Sequence, residues 1–257
     1  MRAMQSDVYS PYAARVVASL SGLPLSDARA RQARAVLTAW DKTAARRGPA
    51  RLFFAFLRRA RASIAGLDAG GTAGAWATWS LLDRMIAGGV APALWDDPRT
   101  GARETRELRI EAALRDALDD VEREGGPDPK RWSWGRVHRL SYPHPLAAGL
   151  PALLARRLAF RAVDLPGEWH TLDVAGFRLR GDDFAVVHIP SARLVVDLGN
   201  LDASRLCLPL GQSGQILDRH AKDQLRRWAV VRDFALPFSE KAVAAATVST
   251  LTFVPPR

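Results

Sequence analysis

Cysteine is nearly absent. Among 257 residues there is one, Cys207, which excludes an internal disulfide and any metal centre built on several thiolates. It stands in the apolar run LCLPL, the setting of a buried structural thiol rather than of a reactive one. Long hydrophobic runs are also missing, so no membrane-spanning helix is expected. The opening residues MRAMQSDVYS lack the apolar segment of a signal peptide. Lysine is scarce, supplying four of the 37 basic residues. No internal repeat, low-complexity tract or phosphate-cradling glycine loop occurs.

What is present is a chain with 48% hydrophobic residues, long enough to bury a core in one or two domains. The net charge of +10 is uneven: residues 1–67 hold 12 Lys and Arg against 3 Asp, the rest 25 against 24. A basic stretch of this kind can serve nucleic acid, an anionic membrane or an acidic protein. Here the arginines fall between apolar residues at helical spacing, as on a solvated face. No zinc-finger or RNA-binding signature accompanies them. Neither nucleic acid nor membrane is expected as a partner.

The periodicity changes along the chain. In residues 11–22, Ala13, Val16, Val17 and Leu20 recur at helical spacing. Ser26 and Asp27 can cap a second helix, whose Val36, Leu37 and Trp40 share a face. Pro49 opens a third, lined on one side by Leu52, Phe53, Phe56, Leu57, Ala60 and Ile64. The glycines of LDAGGTAG (67–74) interrupt the pattern, and a shorter helix follows from Trp76 to Ile86. Residues 103–124 form the clearest amphipathic helix, with Ile110, Leu114, Leu118 and Val121 on its stripe. Beyond GGPDPK, residues 168–180, 182–189, 192–199, 204–209 and 247–254 read as strands. FAVVHI and RLVVDLG suggest a hairpin, residues 218–231 one helix, and TVSTLTFV a last strand. The fold class is α+β, with a helical region at 1–126 and a β-rich region at 127–257 that includes a late helix and a C-terminal strand.

GQSGQILDRHAKDQ (211–224) places Ser213, His220 and Asp223 close together, the residue types of a nucleophile, base and orienting acid. A nucleophile elbow needs G-x-S-x-G, and Gln215 stands where the second glycine belongs. His220 and Asp223, three apart on a helix, share a face without aiming the imidazole at Ser213. A glycine turn leading into a polar helix start accounts for the same letters. His138 and His144 suggest a metal only until a third ligand is sought, because no Cys, His or acidic cluster matches them. The acids Asp182 and Asp183 sit at a turn; Asp96, Asp97 and Asp128 stand beside proline or glycine.

Four segments, taken together, carry a more specific signal. MQSDVYSPYA contains Gln5, Asp7 and Ser10 in a Gln-x-Asp-x-x-Ser pattern. WSWGRVHRLSYPHPL contains Trp132, Trp134, Gly135 and His138, followed by His144 and a proline. SARLVVDLGNLD (191–202) precedes a turn made of Gly211, Gln212, Ser213 and Gly214, which continues through His220, Asp223 and Gln224. In this order they resemble the C-terminal portion of the β subunit in the penicillin acylase (penicillin amidase) family of N-terminal nucleophile hydrolases.

That resemblance implies a partial αββα sandwich and hydrolysis of an amide bond. In the family a precursor exposes a serine at the start of the β subunit. Its hydroxyl attacks the carbonyl while its α-amine, which titrates near neutrality, takes the proton. Backbone and asparagine donors then hold the oxyanion. In family order that serine and asparagine lie upstream of the Gln-x-Asp-x-x-Ser segment, and so do most ligands of the family's calcium site. Ser6 and Ser10 are internal and carry no free amine. No catalytic or metal-binding residue is therefore assigned here, no cofactor is expected in this chain, and the motif residues named above are expected to be structural. Calcium belongs at most to the intact enzyme.

The chain is expected to be a truncated β-subunit fragment, inactive alone. Met1 would then be an internal methionine of a longer reading frame. Its partners would be the first subunit and the N-terminal part of the β subunit. The intact enzyme would act on a small acyl amide, a β-lactam side chain or an N-acyl homoserine lactone, and the family implies a periplasmic location. The rival expectation is a non-catalytic binding or scaffold protein that keeps this half of the fold.

Overall fold

The computed structural model describes Met1 and residues 3–63, 74–90, 92–97, 100–143, 145–147, 149–158, 160–179, 183–215 and 217–255. Ile64, residues 67–73 of the glycine-rich stretch, His144 and Asp182 lie outside them. Two compact units share the chain. One comprises Asp7–Pro143 and Arg161–Ile189, the other Met1–Ser6, His144–Phe160 and Pro190–Arg257. The composition change near residue 126 is thus a change of secondary structure, while the units themselves interleave in sequence.

In the first unit, α1 (Pro11–Leu20), α2 (Ala28–Ala39), α3 (Ala50–Ala62), α4 (Gly74–Ile86) and α5 (Arg106–Gly125) come first. Ser10 caps α1 by accepting the Ala13 N–H at 3.0 Å, ahead of a proline whose φ suits the first turn. Asp27 caps α2 through the Ala30 N–H at 2.8 Å, while Ser26 turns its hydroxyl to Glu111. In α3 Leu52, Phe53, Phe54, Ala55, Phe56 and Leu57 are all buried. The spacing predicts one apolar face, and burial extends well beyond it. α3 packs chiefly on α5, and α5 on α2. Ile110, Leu114, Leu118 and Val121 of α5 point inward as expected.

Acidic residues of α5 answer much of the basic first third. Asp119 and Glu122 each hold Arg29 at 2.6 Å, and Asp120 holds Arg59 at the same distance. Glu124 holds Arg51 at 2.8 Å. Hydrogen bonds donated to Glu122 and Asp119 raise the Arg29 guanidinium pKa above its ordinary value.

α6 (Trp134–Val137) leads to a sheet of β1 (Arg139–Tyr142), β2 (Phe160–Asp164), β3 (Gly176–Phe177) and β4 (Val186–His188), in the order β2-β1-β4-β3. β1 runs parallel to β4, with Leu140 opposite Val186, and β3 runs antiparallel to β4. Both edges of β4 are therefore occupied, and the hairpin suggested by FAVVHI and RLVVDLG does not form. Residues 168–180 also depart from expectation, since among the described residues 168–179 only Gly176–Phe177 is strand. The stretch before it folds back on itself. Gly167 adopts φ 82°, and the Thr171 hydroxyl lies 3.0 and 2.8 Å from the carbonyls of Glu168 and Asp173.

The second unit holds α7 (Ala152–Leu158), the antiparallel strands β5 (Arg193–Val195), β6 (Arg205–Cys207) and β7 (Phe234–Ala235), and the short helices α8 (Leu225–Trp228) and α9 (Glu240–Ala246). Leu194 faces Leu206 across one pair and Leu206 faces Phe234 across the next. Trp228 is 1% exposed, and the Arg193 guanidinium lies 4.5 Å from its ring centroid. Cys207 is buried and unpaired, and desolvation pushes its thiol pKa up.

Residues 218–231 do not form one helix. A 3-10 turn at Arg219–Ala221 and the four-residue α8 replace it. The carbonyls of His220 and Ala221 accept the N–H groups of Ser213 and Gly211 at 3.1 Å each, so neither is left for a helical bond. The C-terminal strand is missing as well. Ser239 caps α9, and residues 248–255 are exposed without strand pairing among the described residues. A run of β-favouring residues becomes a strand only where a neighbour supplies backbone partners. Among the described residues, no helix is long and apolar enough to cross a membrane.

Candidate functional site

Ser10 reaches across 158 positions to donate its hydroxyl to Glu168 Oε1 at 2.7 Å. The other carboxylate oxygen, Oε2, lies 2.9 Å from His170 Nδ1. Glu168 is fully buried, and its own N–H donates to Thr171 Oγ1 at 3.0 Å. The His170 ring stacks on Tyr12, with centroids 4.5 Å apart and planes at 11°, and meets Trp79 edge-on. Desolvation raises the pKa of the Tyr12 hydroxyl well above its ordinary value, helped by the charges of Asp83 and Glu168. Asp7 secures the approach to this cluster. Its side chain accepts the Tyr9 N–H at 2.8 Å and its carbonyl the Asp173 N–H at 2.8 Å.

The cluster does not activate Ser10. The serine proton is given to a carboxylate, while its oxygen accepts the Ala13 N–H. A nucleophilic serine needs the imidazole between hydroxyl and acid; here the carboxylate stands in the middle. What the arrangement does fix is His170. Its Nδ1 is held against Glu168, on a side chain 31% exposed.

The tryptophan segment is a packing device. Trp132 Nε1 donates to the Gly126 carbonyl at 2.8 Å, and Trp134 Nε1 to that of Gly167 at 3.1 Å. Trp134 stacks on Phe54 at 4.4 Å and on His138 at 4.3 Å. Gly135 donates its N–H to the Arg46 carbonyl at 2.9 Å, and a Cβ there would lie 3.2 Å from that of Asp164. His138 is wholly buried, with Nδ1 2.9 Å from the Phe184 carbonyl oxygen. Desolvation lowers its pKa to about 4, against the opposing pull of backbone hydrogen bonds at Phe184 and Ala175. It is a neutral core imidazole.

In the second unit, Gln5 donates Nε2 to the Leu194 carbonyl at 3.0 Å, and its own carbonyl accepts Arg193 Nη1 at 2.9 Å. His220 Nδ1 lies 2.7 Å from Asp223 Oδ2, while its Nε2 accepts from Arg219 Nε at 2.9 Å. Both ring nitrogens are thus engaged. The Ser213 oxygen instead accepts the Gln215 N–H at 3.2 Å. Gly211 is sterically required, since a Cβ would fall 1.7 Å from the His220 carbonyl oxygen. Gln212 and Gly214 are exposed, and Gln224 Oε1 accepts the Leu208 N–H at 2.8 Å. The turn is held by backbone pairing, and its serine and histidine do not meet through their side chains. Among the described residues, no three His, Cys, Asp or Glu side chains gather as metal ligands.

The motif residues therefore form local architecture in the same order as the four segments read from sequence. The sequence profile of penicillin amidase matches residues 1–245. The chain belongs to the penicillin amidase family. It is 30% identical over 165 residues to the acyl-homoserine lactone acylase QuiP of Pseudomonas putida, covering 63% of this chain and 20% of that one. To QuiP of Pseudomonas aeruginosa it is 29% identical over 231 residues, covering 82% and 27%. To QuiP of Pseudomonas fluorescens Pf-5 it is 28% identical over 251 residues, covering 92% and 30%. The matched parts are thus between a fifth and three tenths of these acylases. Among solved structures, thermostable penicillin G acylase from Alcaligenes faecalis superposes with a TM-score of 0.52 at 18% identity, covering 96% of this chain and 46% of that one. At that identity the likeness shows the fold.

Within this family member, sequence reading singles out Ser10 but misses Glu168 and His170. Their i, i+2 spacing in GEWHT carries no periodic signal, because Trp169 and His170 lie in a turn. Nothing local connects that pair to Ser10.

Proposed function

We propose that this chain is the C-terminal part of a penicillin acylase-type β subunit and that the reacting serine lies outside these 257 residues. The intact enzyme would hydrolyse the amide of an N-acylated amine. The observation that carries this reading is that the family-motif side chains are engaged in caps, packing and turns. Ser10 Oγ, His138 Nδ1 and Ser213 Oγ all take part in such contacts. In the intact enzyme a serine with a free α-amine supplies nucleophile and base, and the present residues contribute scaffold to the αββα layers. N-Acyl homoserine lactones are the favoured substrate class, because the similar acylases carry that name; β-lactam side chains come second. The missing first subunit and the N-terminal part of the β subunit are its partners, and the periplasm its compartment.

The test is turnover. The purified chain, incubated with an N-acyl homoserine lactone and with a chromogenic phenylacetyl amide, should release no amine above the rate in buffer. Release that Ser213→Ala or Ser10→Ala abolishes would overturn the assignment of the nucleophile to residues outside this chain.

A further inference from the structure

Within the first unit a cavity of about 360 Å³ is bounded by Arg51, Arg131, Arg136, Glu124, Trp132 and Val137, among others. That volume lies toward the lower end of the roughly 300–1,000 Å³ typical of small-molecule sites. Three guanidiniums stand around it, and Glu124 is the one acid among its lining residues. Arg51 is 3% exposed and commits Nη2 to both oxygens of Glu124, at 3.0 and 2.8 Å. Its Nε and Nη1 have no hydrogen-bond partner, although a buried charged donor left unpaired is costly. Arg131 and Arg136 are exposed and make no side-chain hydrogen bond or ion pair with any described residue.

Elsewhere in this unit several arginines find acids, as Arg29 and Arg59 do on α5, and others such as Arg31 and Arg34 find backbone carbonyls. Around the cavity two positive charges remain after Glu124 is counted. The C-terminal turn of α5, with Gly125 on the wall, adds partial negative charge of about half a unit. That is too little to cancel the surplus. Apart from Gly125 and Ser133 the remaining lining is apolar, with Val121, Trp132 and Val137 on the wall.

We propose that this cavity binds a small organic carboxylate, with its oxygens recognised by Arg131 and Arg136 and its apolar body against Trp132 and Val137. Guanidiniums match a carboxylate with paired donors. The apolar lining, and the nearby Glu124, favour a monoanion with a hydrocarbon body over a bare multivalent anion. The inference stands apart from the amide-hydrolase reading, because it concerns equilibrium binding by this chain and no turnover.

Calorimetric titration of the full chain at low salt, with benzoate and hexanoate as probes, tests it. Benzyl alcohol serves as the uncharged control and inorganic phosphate as the anion without an apolar body. Saturable binding of benzoate at one site is expected, weakened about tenfold or more by Arg136→Gln and likewise by Arg131→Gln. Arg226→Gln in the other unit should leave it unchanged. Both test positions are exposed, and circular dichroism verifies that each variant is folded. Failure of benzoate to saturate, equal affinity in wild type and both variants, or phosphate binding as tightly as benzoate would each overturn the proposal.

Discussion

The two units spend their large apolar side chains differently. In the first, Phe53, Phe54, Phe56, Trp134, Phe177 and Phe184 are almost completely enclosed, and edge and stacked ring contacts join all of them but Phe56. In the second, Leu198 is 88% and Phe253 87% exposed. The row formed by Leu194, Leu206 and Phe234 across β5–β7 also remains partly open. Local polar clamps do much of the ordering there. Asp202 accepts from the N–H groups of Phe238 and Ser239 at 2.8 and 2.7 Å and from the Ser239 hydroxyl at 2.6 Å, and the hydroxyl bond leads in lowering its pKa. The contrast teaches that the first unit draws its stability from burial, whereas the second presents apolar surface of the kind that marks interaction sites.

The strongest way to break this contrast is to empty the aromatic core. Trp134→Ala should destabilise the first unit by about 3–5 kcal/mol, read as a shift of its denaturant midpoint. Trp228→Ala should instead speed amide exchange in β5–β7 while α3 and α5 stay protected. Acid offers a gentler lever. The folded His138 pKa, about 4, lies below the ordinary 6.5, so between those values the unfolded chain binds the proton more readily. Stability from the neutral imidazole is fully present above pH 6.5 and is lost as pH falls through about 4, on the order of 3 kcal/mol in all. Unfolding titrations across that window should show the loss in wild type and a flatter profile in His138→Phe. The smallest effect belongs to the open surface. Phe253→Ser should change stability by no more than about 0.5 kcal/mol, measured by thermal melting; a loss of several degrees would show that the segment is packed in solution.

The helices were legible in the sequence because their determinants are local. Ser10 and Asp27 sit at the starts they cap, and the stripe from Ile110 to Val121 repeats within α5. Membership of the penicillin amidase family was legible from the four segments. Strand pairing was not, because it depends on distant partners: β4 is claimed by β1 and β3, so its sequence neighbour β5 pairs elsewhere. TVSTLTFV has the composition of a strand without a partner among the described residues. The site was half legible. Ser10 could be named, but its partner Glu168 is reached only through tertiary folding. The arginines of the basic first third read as a solvated face, whereas several of them pair with α5, some ninety positions away in the case of Arg29 and Asp119.

The interleaving of the two units has a consequence for how such a chain can be divided. The polypeptide passes from one unit to the other at residues 6/7, 143/144, 160/161 and 189/190. No single proteolytic cut or stop codon can therefore release either unit intact. Removing the last strands also leaves Met1–Ser6 and His144–Phe160 without the rest of their unit. The two halves can be expressed, shuffled or lost only together, so the smallest inheritable piece of this fold is larger than either of its compact parts.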